Sequence, residues 1–137
     1  MRILVIDGMG GGIGKSIIEK LKAELKGVDI IAVGTNAIAT TAMLKAGANF
    51  SATGENAVIY NSVRSDYIIG VMGIAFANSM HGEVSPKMAE AVSASPAHKI
   101  LIPIDKCNVT TVGVTSASIQ VYISEAVEKL REYCCFD

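Results

Sequence analysis

Five glycines fall within seven residues near the start of the chain, Gly8, Gly10, Gly11, Gly12 and Gly14, and Lys15 follows the last of them. Glycine permits positive φ and lets another molecule approach the backbone closely, so several N–H groups can converge on one anion. A helix that begins there adds its positive end to the same attraction. Phosphate is the natural guest, and its charge would reverse the unfavourable placement of a lysine in a helix's first turn. A plain strand-to-helix turn needs fewer glycines. The stretch is therefore expected to hold phosphate through Gly8, Gly10, Gly11, Gly12, Ile13, Gly14 and Lys15.

Spacing narrows the kind of loop. The dinucleotide fingerprint GxGxxG fails, because from Gly8 its last position is Ile13 and from Gly10 it is Lys15. The P-loop also fails: Gly14-Lys15-Ser16 matches its end, but its first glycine falls on Met9. After the next apolar segment, Gly34-Thr35-Asn36 carries no acid for a ribose 2′-hydroxyl and no arginine for a 2′-phosphate, leaving Thr35 and Asn36 as the polar groups offered to a ligand. The pattern that does fit is GxxxGxG at Gly8, Gly12 and Gly14, which resembles the glycine loop of short-chain dehydrogenases. That resemblance covers only about the first 35 residues and implies a nucleotide cofactor, NAD(P) or another. The catalytic Tyr-x-x-x-Lys of those enzymes is absent, since Tyr60, Tyr67, Tyr122 and Tyr133 are followed four positions on by Arg64, Val71, Ala126 and Asp137.

Other polar residues gather at the same expected edge. Asp7 directly precedes the glycines, where a carboxylate either holds a metal or ribose hydroxyl or caps N–H groups of the turn. Asn78, Ser79, His81 and Glu83 surround Gly82, and histidine is the side chain best suited to proton transfer near neutral pH. His81 and Asp7 are thus the candidate acid or base, against the plainer reading of His81 as an exposed loop residue. Asp105 and Asn108 follow another apolar segment and are placed to reach a ligand, while Cys107 reads as a buried inert thiol in preference to a nucleophile. No metal site is expected: Cys107, Cys134 and Cys135 form no CxxC, and an odd count without ligand spacing reads as free thiols in a reducing cytoplasm.

The elements that must position these groups alternate. Arg2–Ile6 is a continuous apolar run, as in a central parallel strand covered on both faces. Ile13, Ile17, Leu21 and Leu25 then recur at helical spacing, and Asp29–Val33 supplies the next strand of a βαβ unit. Asn36 caps a second helix ending near Gly47; Asn49–Ala52 is a short edge strand, and Thr53 opens a further helix through Val58 and Val63. Tyr67–Met72 and Lys99–Ile104 are strands, with Pro103 marking an edge or exit, and Val109–Val114 offers a sixth. Ser85-Pro86 starts one helix, and a last runs from about Ser118 to Tyr133. The fold class is α/β, a Rossmann-like three-layer sandwich with a mostly parallel sheet of five to six strands, read as a single nucleotide-binding domain over 1–137. If the first strand and the Tyr67 strand are neighbours, the loops at 7–15, 73–83 and 105–108 converge on the crevice between them.

Composition supports this and excludes other classes. With 137 residues, 50% apolar, the chain can bury a core without disulfide or metal staples. Twelve Lys plus Arg against thirteen Asp plus Glu leave no basic footprint for nucleic acid. The mean hydropathy is +0.42, yet the longest apolar stretch, 68–77, is too short to span a membrane and no secretory leader is expected. The apolar surplus instead implies a homo-oligomer, dimer or higher. From end to end the sequence resembles a small bacterial family known as domain of unknown function 3842, through VIDGMGGGIGK, GTNAIATTAMLKAGA, ATGENA, FANSMHGEVSPKMAEA and KILIPIDKCN. The resemblance implies one cytoplasmic α/β domain and carries no activity. The expected function is binding of a nucleotide or dinucleotide phosphate; the alternatives are an enzyme on a small phosphorylated metabolite and a non-catalytic oligomeric regulatory partner.

Overall fold

A computed structural model describes residues 1–104, 108–115 and 117–135. Strands β1 (Arg2–Asp7), β2 (Asp29–Gly34), β3 (Phe50–Thr53), β4 (Tyr67–Val71) and β5 (His98–Ile102) form one sheet in the order β3-β2-β1-β4-β5. All four pairings are parallel, with Ile3 of β1 opposite both Ile30 of β2 and Tyr67 of β4. Helices α1 (Gly12–Glu24), α2 (Ala37–Lys45), α3 (Glu55–Ser62), α4 (Pro86–Ala94) and α5 (Ile119–Cys135) complete the layers.

The continuous apolar runs are explained by burial on both faces. Ile3 and Val5 face one layer, where they meet Ile17, Ile18 and Leu21 of α1, Met43 of α2, and Ile123, Val127 and Leu130 of α5. Leu4 and Ile6 face the other, against Val58 of α3 and Met88 and Val92 of α4. Each of these fully buried aliphatic side chains contributes roughly 1.5–3 kcal/mol. The result is a Rossmann-like three-layer α/β sandwich. Asn36 caps α2 by accepting from the Ala39 N–H at 2.9 Å, and Ser85 caps α4 with Pro86 as its first residue, as their types predict.

Two expectations are corrected. Residues 109–114 form no strand although β5 leaves a free sheet edge: Val112 and Gly113 turn, Gly113 has φ 88, and Val112 is 94% exposed. The α3 helix is capped by Gly54, whereas Thr53 ends β3 and pairs its hydroxyl with that of Thr40 at 2.7 Å. Because β3 pairs with β2 through Thr53, that residue is committed to the ladder before the helix can begin.

After β1 the chain winds through β2 and β3 to one side, then crosses to β4 on the other side of β1. The order reverses between β1 and β4, and the carboxyl ends of those strands open a crevice there. Among the described residues no helix is long and apolar enough to cross a membrane.

Candidate functional site

The crevice is a cleft of about 860 Å³ at the end of β1. Its floor is Asp7, Gly8, Met9, Gly10, Gly11, Gly12 and Ile13, and one wall is the segment from Gly73 to His81 after β4. Ile104 and Asn108 flank it, and the first turns of α5 close it with Ile119, Gln120 and Ile123. The convergence expected from topology is thus present for the two longer loops and for Asn108, while Asp105 and Cys107 lie outside the described residues.

Asp7 organises the floor. It is 5% exposed, and its carboxylate accepts from the Gly8 N–H at 2.8 Å and the Gly14 N–H at 2.6 Å. Burial pushes its carboxyl above the ordinary range, against the downward pull of those two backbone bonds, and the neighbouring Glu83 charge raises it further. Of its sequence readings, the turn cap is the one the geometry displays.

The glycines serve different ends. A side chain on Gly8 would meet Thr35 Oγ1 at 2.5 Å and Met80 Sδ at 2.7 Å, and one on Gly14 would meet Met43 Sδ at 2.6 Å and Asp7 Cβ at 2.8 Å. Gly11 is the α1 N-cap with φ 75 and packs against the Ala39 backbone. Gly10 and Gly12 have neither reason: neither has positive φ, and a Cβ on either meets nothing within 4 Å. The Gly8 and Gly14 amides go to Asp7, the Met9 amide to Glu83, the Gly11 amide to the Gly8 carbonyl and the Lys15 amide to the Gly11 carbonyl. The amides of Gly10, Gly12 and Ile13 find no acceptor among the described residues, and α1 has no side-chain cap.

Backbone strain collects at the same place. Every non-glycine residue with positive φ among the described residues, Met9, Asn78, Met80, His81 and Asn108, lines this cleft. Such conformations cost of order 1–3 kcal/mol each and persist where the surroundings over-determine them. The 76–84 loop supplies that support: Asn78 N–H donates to the Val84 carbonyl at 2.7 Å, Val84 N–H to the Ser79 carbonyl at 3.2 Å, and Ser79 Oγ to the Gly73 carbonyl.

The remaining candidates lie elsewhere. Lys15 points away from the cleft into a shallow groove against α2, 4.0 Å from Glu19. Gly14 sits behind the floor. Thr35 and Asn36 are turned to Glu83, whose Oε1 accepts from Thr35 Oγ1 at 2.6 Å, Asn36 Nδ2 at 2.8 Å and the Met9 N–H at 2.9 Å. The Thr35 hydroxyl and the Met9 amide hold the Glu83 carboxyl below its ordinary value, with Asn36 and the nearby His81 acting in the same sense. Sequence reasoning noticed Glu83 in a polar loop but not this role. Ile119 and Ile123, spaced i, i+4 on one face of α5, pack with the core and also border the cleft, a position that only the tertiary placement of that helix's start decides. Phe76, 38% exposed, and Met9, 51% exposed, add apolar surface at the mouth. Among the described residues no group of three or more His, Cys, Asp or Glu is placed to hold a metal ion.

A parallel sheet with its switch point between β1 and β4, and a glycine-floored cleft at that point, define a Rossmann-like α/β protein. The chain belongs to the family described as domain of unknown function (DUF3842), whose model matches residues 2–135. No curated protein matches it. Among solved structures, AibC superposes with a TM-score of 0.51 at 15% identity, covering 96% of this chain and 38% of that one, a likeness of fold alone. The dodecameric FMN-dependent Ubix-like decarboxylase from Escherichia coli O157:H7 gives 0.45 at 18% identity over 95% of this chain and 76% of that one. NAD+-bound xylitol dehydrogenase gives 0.41 at 15% identity over 95% and 61%.

Proposed function

We propose that this protein binds a phosphate-bearing small molecule of nucleotide type, with the phosphate on the amides of Gly10, Gly12 and Ile13 at the start of α1. One observation carries the reading: Gly10 and Gly12 line the cleft as glycines with no conformational or packing reason to be so, a Cβ on either would meet nothing within 4 Å, and their amides have no acceptor among the described residues. Close approach of a ligand to the backbone is the remaining reason for the residue type. The strained residues around the cleft support the same location. Asn78, which lines the same cleft, is expected to contribute a polar side chain beside the phosphate. NAD(P) or another nucleotide is the expected cofactor class, and the single domain is expected to work in the cytoplasm as a homo-oligomer.

The test is thermal stability against AMP, ATP, FMN, NAD, NADP and sugar phosphates, with and without Mg²⁺. A ligand at 100 times its Kd adds about 2.7 kcal/mol of stability. A selective rise in Tm that Gly12→Val abolishes is the expected result, and a flat panel overturns the reading. A second reading, catalysis on a small phosphorylated metabolite, is favoured by Asp7: a buried carboxyl on the cleft floor whose pKa is raised by burial is a candidate general acid, with His81 of the same cleft as its partner. There His81→Ala is expected to spare binding and remove turnover; turnover unchanged by that substitution excludes the role.

A further inference from the structure

We infer that Glu83 shuts the β2 side of the crevice, so that the ligand is a phosphate monoester with an apolar body lying between the ends of β1 and β4 and the start of α5, and not a dinucleotide spanning both halves. The inference rests on the phosphate site proposed above and narrows its ligand class.

In sheets of this strand order a dinucleotide runs across the switch point, and its ribose meets a carboxylate that follows β2. Here the residues after β2 are Thr35 and Asn36, and the carboxylate comes from the opposite loop. Its Oε1 is spent on three donors, Thr35 Oγ1, Asn36 Nδ2 and the Met9 N–H. Asn36 Nδ2 also donates to the Met9 carbonyl at 2.9 Å, and the Thr35 N–H donates to the Asp7 carbonyl at 2.9 Å. These bonds stitch the glycine loop, the end of β2 and the 80–83 loop into one seam. Packing fills what the bonds leave: the Cβ direction of Gly8 runs into Thr35, Met80 and Glu83, and that of Gly11 into the Ala39 backbone at 2.7 Å. No residue of β2 or α2 lines the cleft.

The open half has a different character. Val71, Phe76, Ile104, Ile119 and Ile123 line it, and the described residues contribute no Lys or Arg. The three amides without acceptors among the described residues match the terminal oxygens of one phosphate, and they do not provide for the second phosphate of a pyrophosphate. The volume, about 860 Å³, is within the range of pockets that enclose ligands of drug size. A single phosphate with an apolar body satisfies both the donor set and the walls.

Isothermal titration of inorganic phosphate, 1-naphthyl phosphate and NAD tests this on the wild type, Glu83→Ala and Glu83→Gln, with folding of each variant checked by circular dichroism. On the wild type 1-naphthyl phosphate is expected to bind at least tenfold tighter than inorganic phosphate and than NAD. Glu83→Ala, which opens the seam, is expected to tighten NAD at least fivefold and leave 1-naphthyl phosphate within threefold. Glu83→Gln, which keeps the size of the plug, is expected to match the wild type. NAD binding the wild type as tightly as 1-naphthyl phosphate overturns the inference alone, as does a folded Glu83→Ala that binds NAD no tighter. If Glu83→Ala does not fold, the wild-type order decides. No binding by any phosphate compound overturns the proposed phosphate site and this inference with it.

Discussion

Gly12→Ala separates a ligand-binding glycine from a structural one. Gly12 is the first residue of α1, its φ is not positive, and an added methyl group meets nothing within 4 Å. Replacing glycine by alanine where the backbone is already compatible stabilises a protein by about 0.4–1 kcal/mol, through the entropy of the unfolded chain. For a domain of this size that corresponds to a rise in Tm of roughly 1–5 °C. Gly12 also lines the cleft, so the same methyl group adds bulk beside the amides on which the phosphate is proposed to sit. Affinity for AMP or another phosphate ligand is expected to fall at least tenfold, about 1.4 kcal/mol. Scanning calorimetry of the apo protein and isothermal titration of the ligand read the two effects separately. A variant that is less stable than the wild type shows that Gly12 has a structural reason after all. One that keeps wild-type affinity shows that the phosphate does not approach the backbone there.

Three further outcomes follow from the same contacts. Gly8→Ala forces a Cβ to 2.5 Å from Thr35 Oγ1 and 2.7 Å from Met80 Sδ, so calorimetry is expected to show a loss of about 1–3 kcal/mol from overpacking. Ser62 Oγ is buried without a hydrogen-bond partner among the described residues; Ser62→Ala is therefore expected to leave urea stability unchanged or raise it by about 1 kcal/mol, and a loss above that figure refutes the reasoning. Glu83 is held below its ordinary value of 4.5, so its stabilising contribution is full above that pH and is lost as pH falls through the lower folded value. Asp7, raised in the folded state, acts in the opposite sense, so the comparison is the stability gap between wild type and Glu83→Gln; it should be constant near neutrality and shrink below pH 4.5, and a gap that widens in acid contradicts the assignment.

Much of the fold was legible because the local signals are strong and agree. Continuous β-branched apolar runs such as those in Arg2–Ile6 and Tyr67–Met72 read as strands buried on both faces, and Asn36, Ser85-Pro86 and Gly47 punctuate the helices between them. Where a signal depended on tertiary context it misled: Val109–Val114 has strand-forming residues, but Val112 and Gly113 turn and the segment does not pair with the free edge of β5. The position of the cleft followed from topology, but the division of labour among five glycines did not. Whether a glycine is needed for φ, for packing or for access is settled by neighbours distant in sequence, Thr35 and Met80 for Gly8, Met43 for Gly14, Ala39 for Gly11. Lys15 shows the same limit, since its place in the first turn is local but the direction of its side chain depends on where α2 packs. Glu83 reaches back 74 residues to Met9, and nothing in the spacing of either segment announces that contact.

The central claim, that a phosphate sits on three backbone amides at the start of α1, is tested most directly by titrating AMP into ¹⁵N-labelled protein and following the amide resonances. Saturable shifts concentrated on Gly10, Gly12 and Ile13, with a common Kd and absent in Gly12→Val, are the expected result. Saturable shifts centred elsewhere, or no shift at those three amides at millimolar ligand, contradict the account.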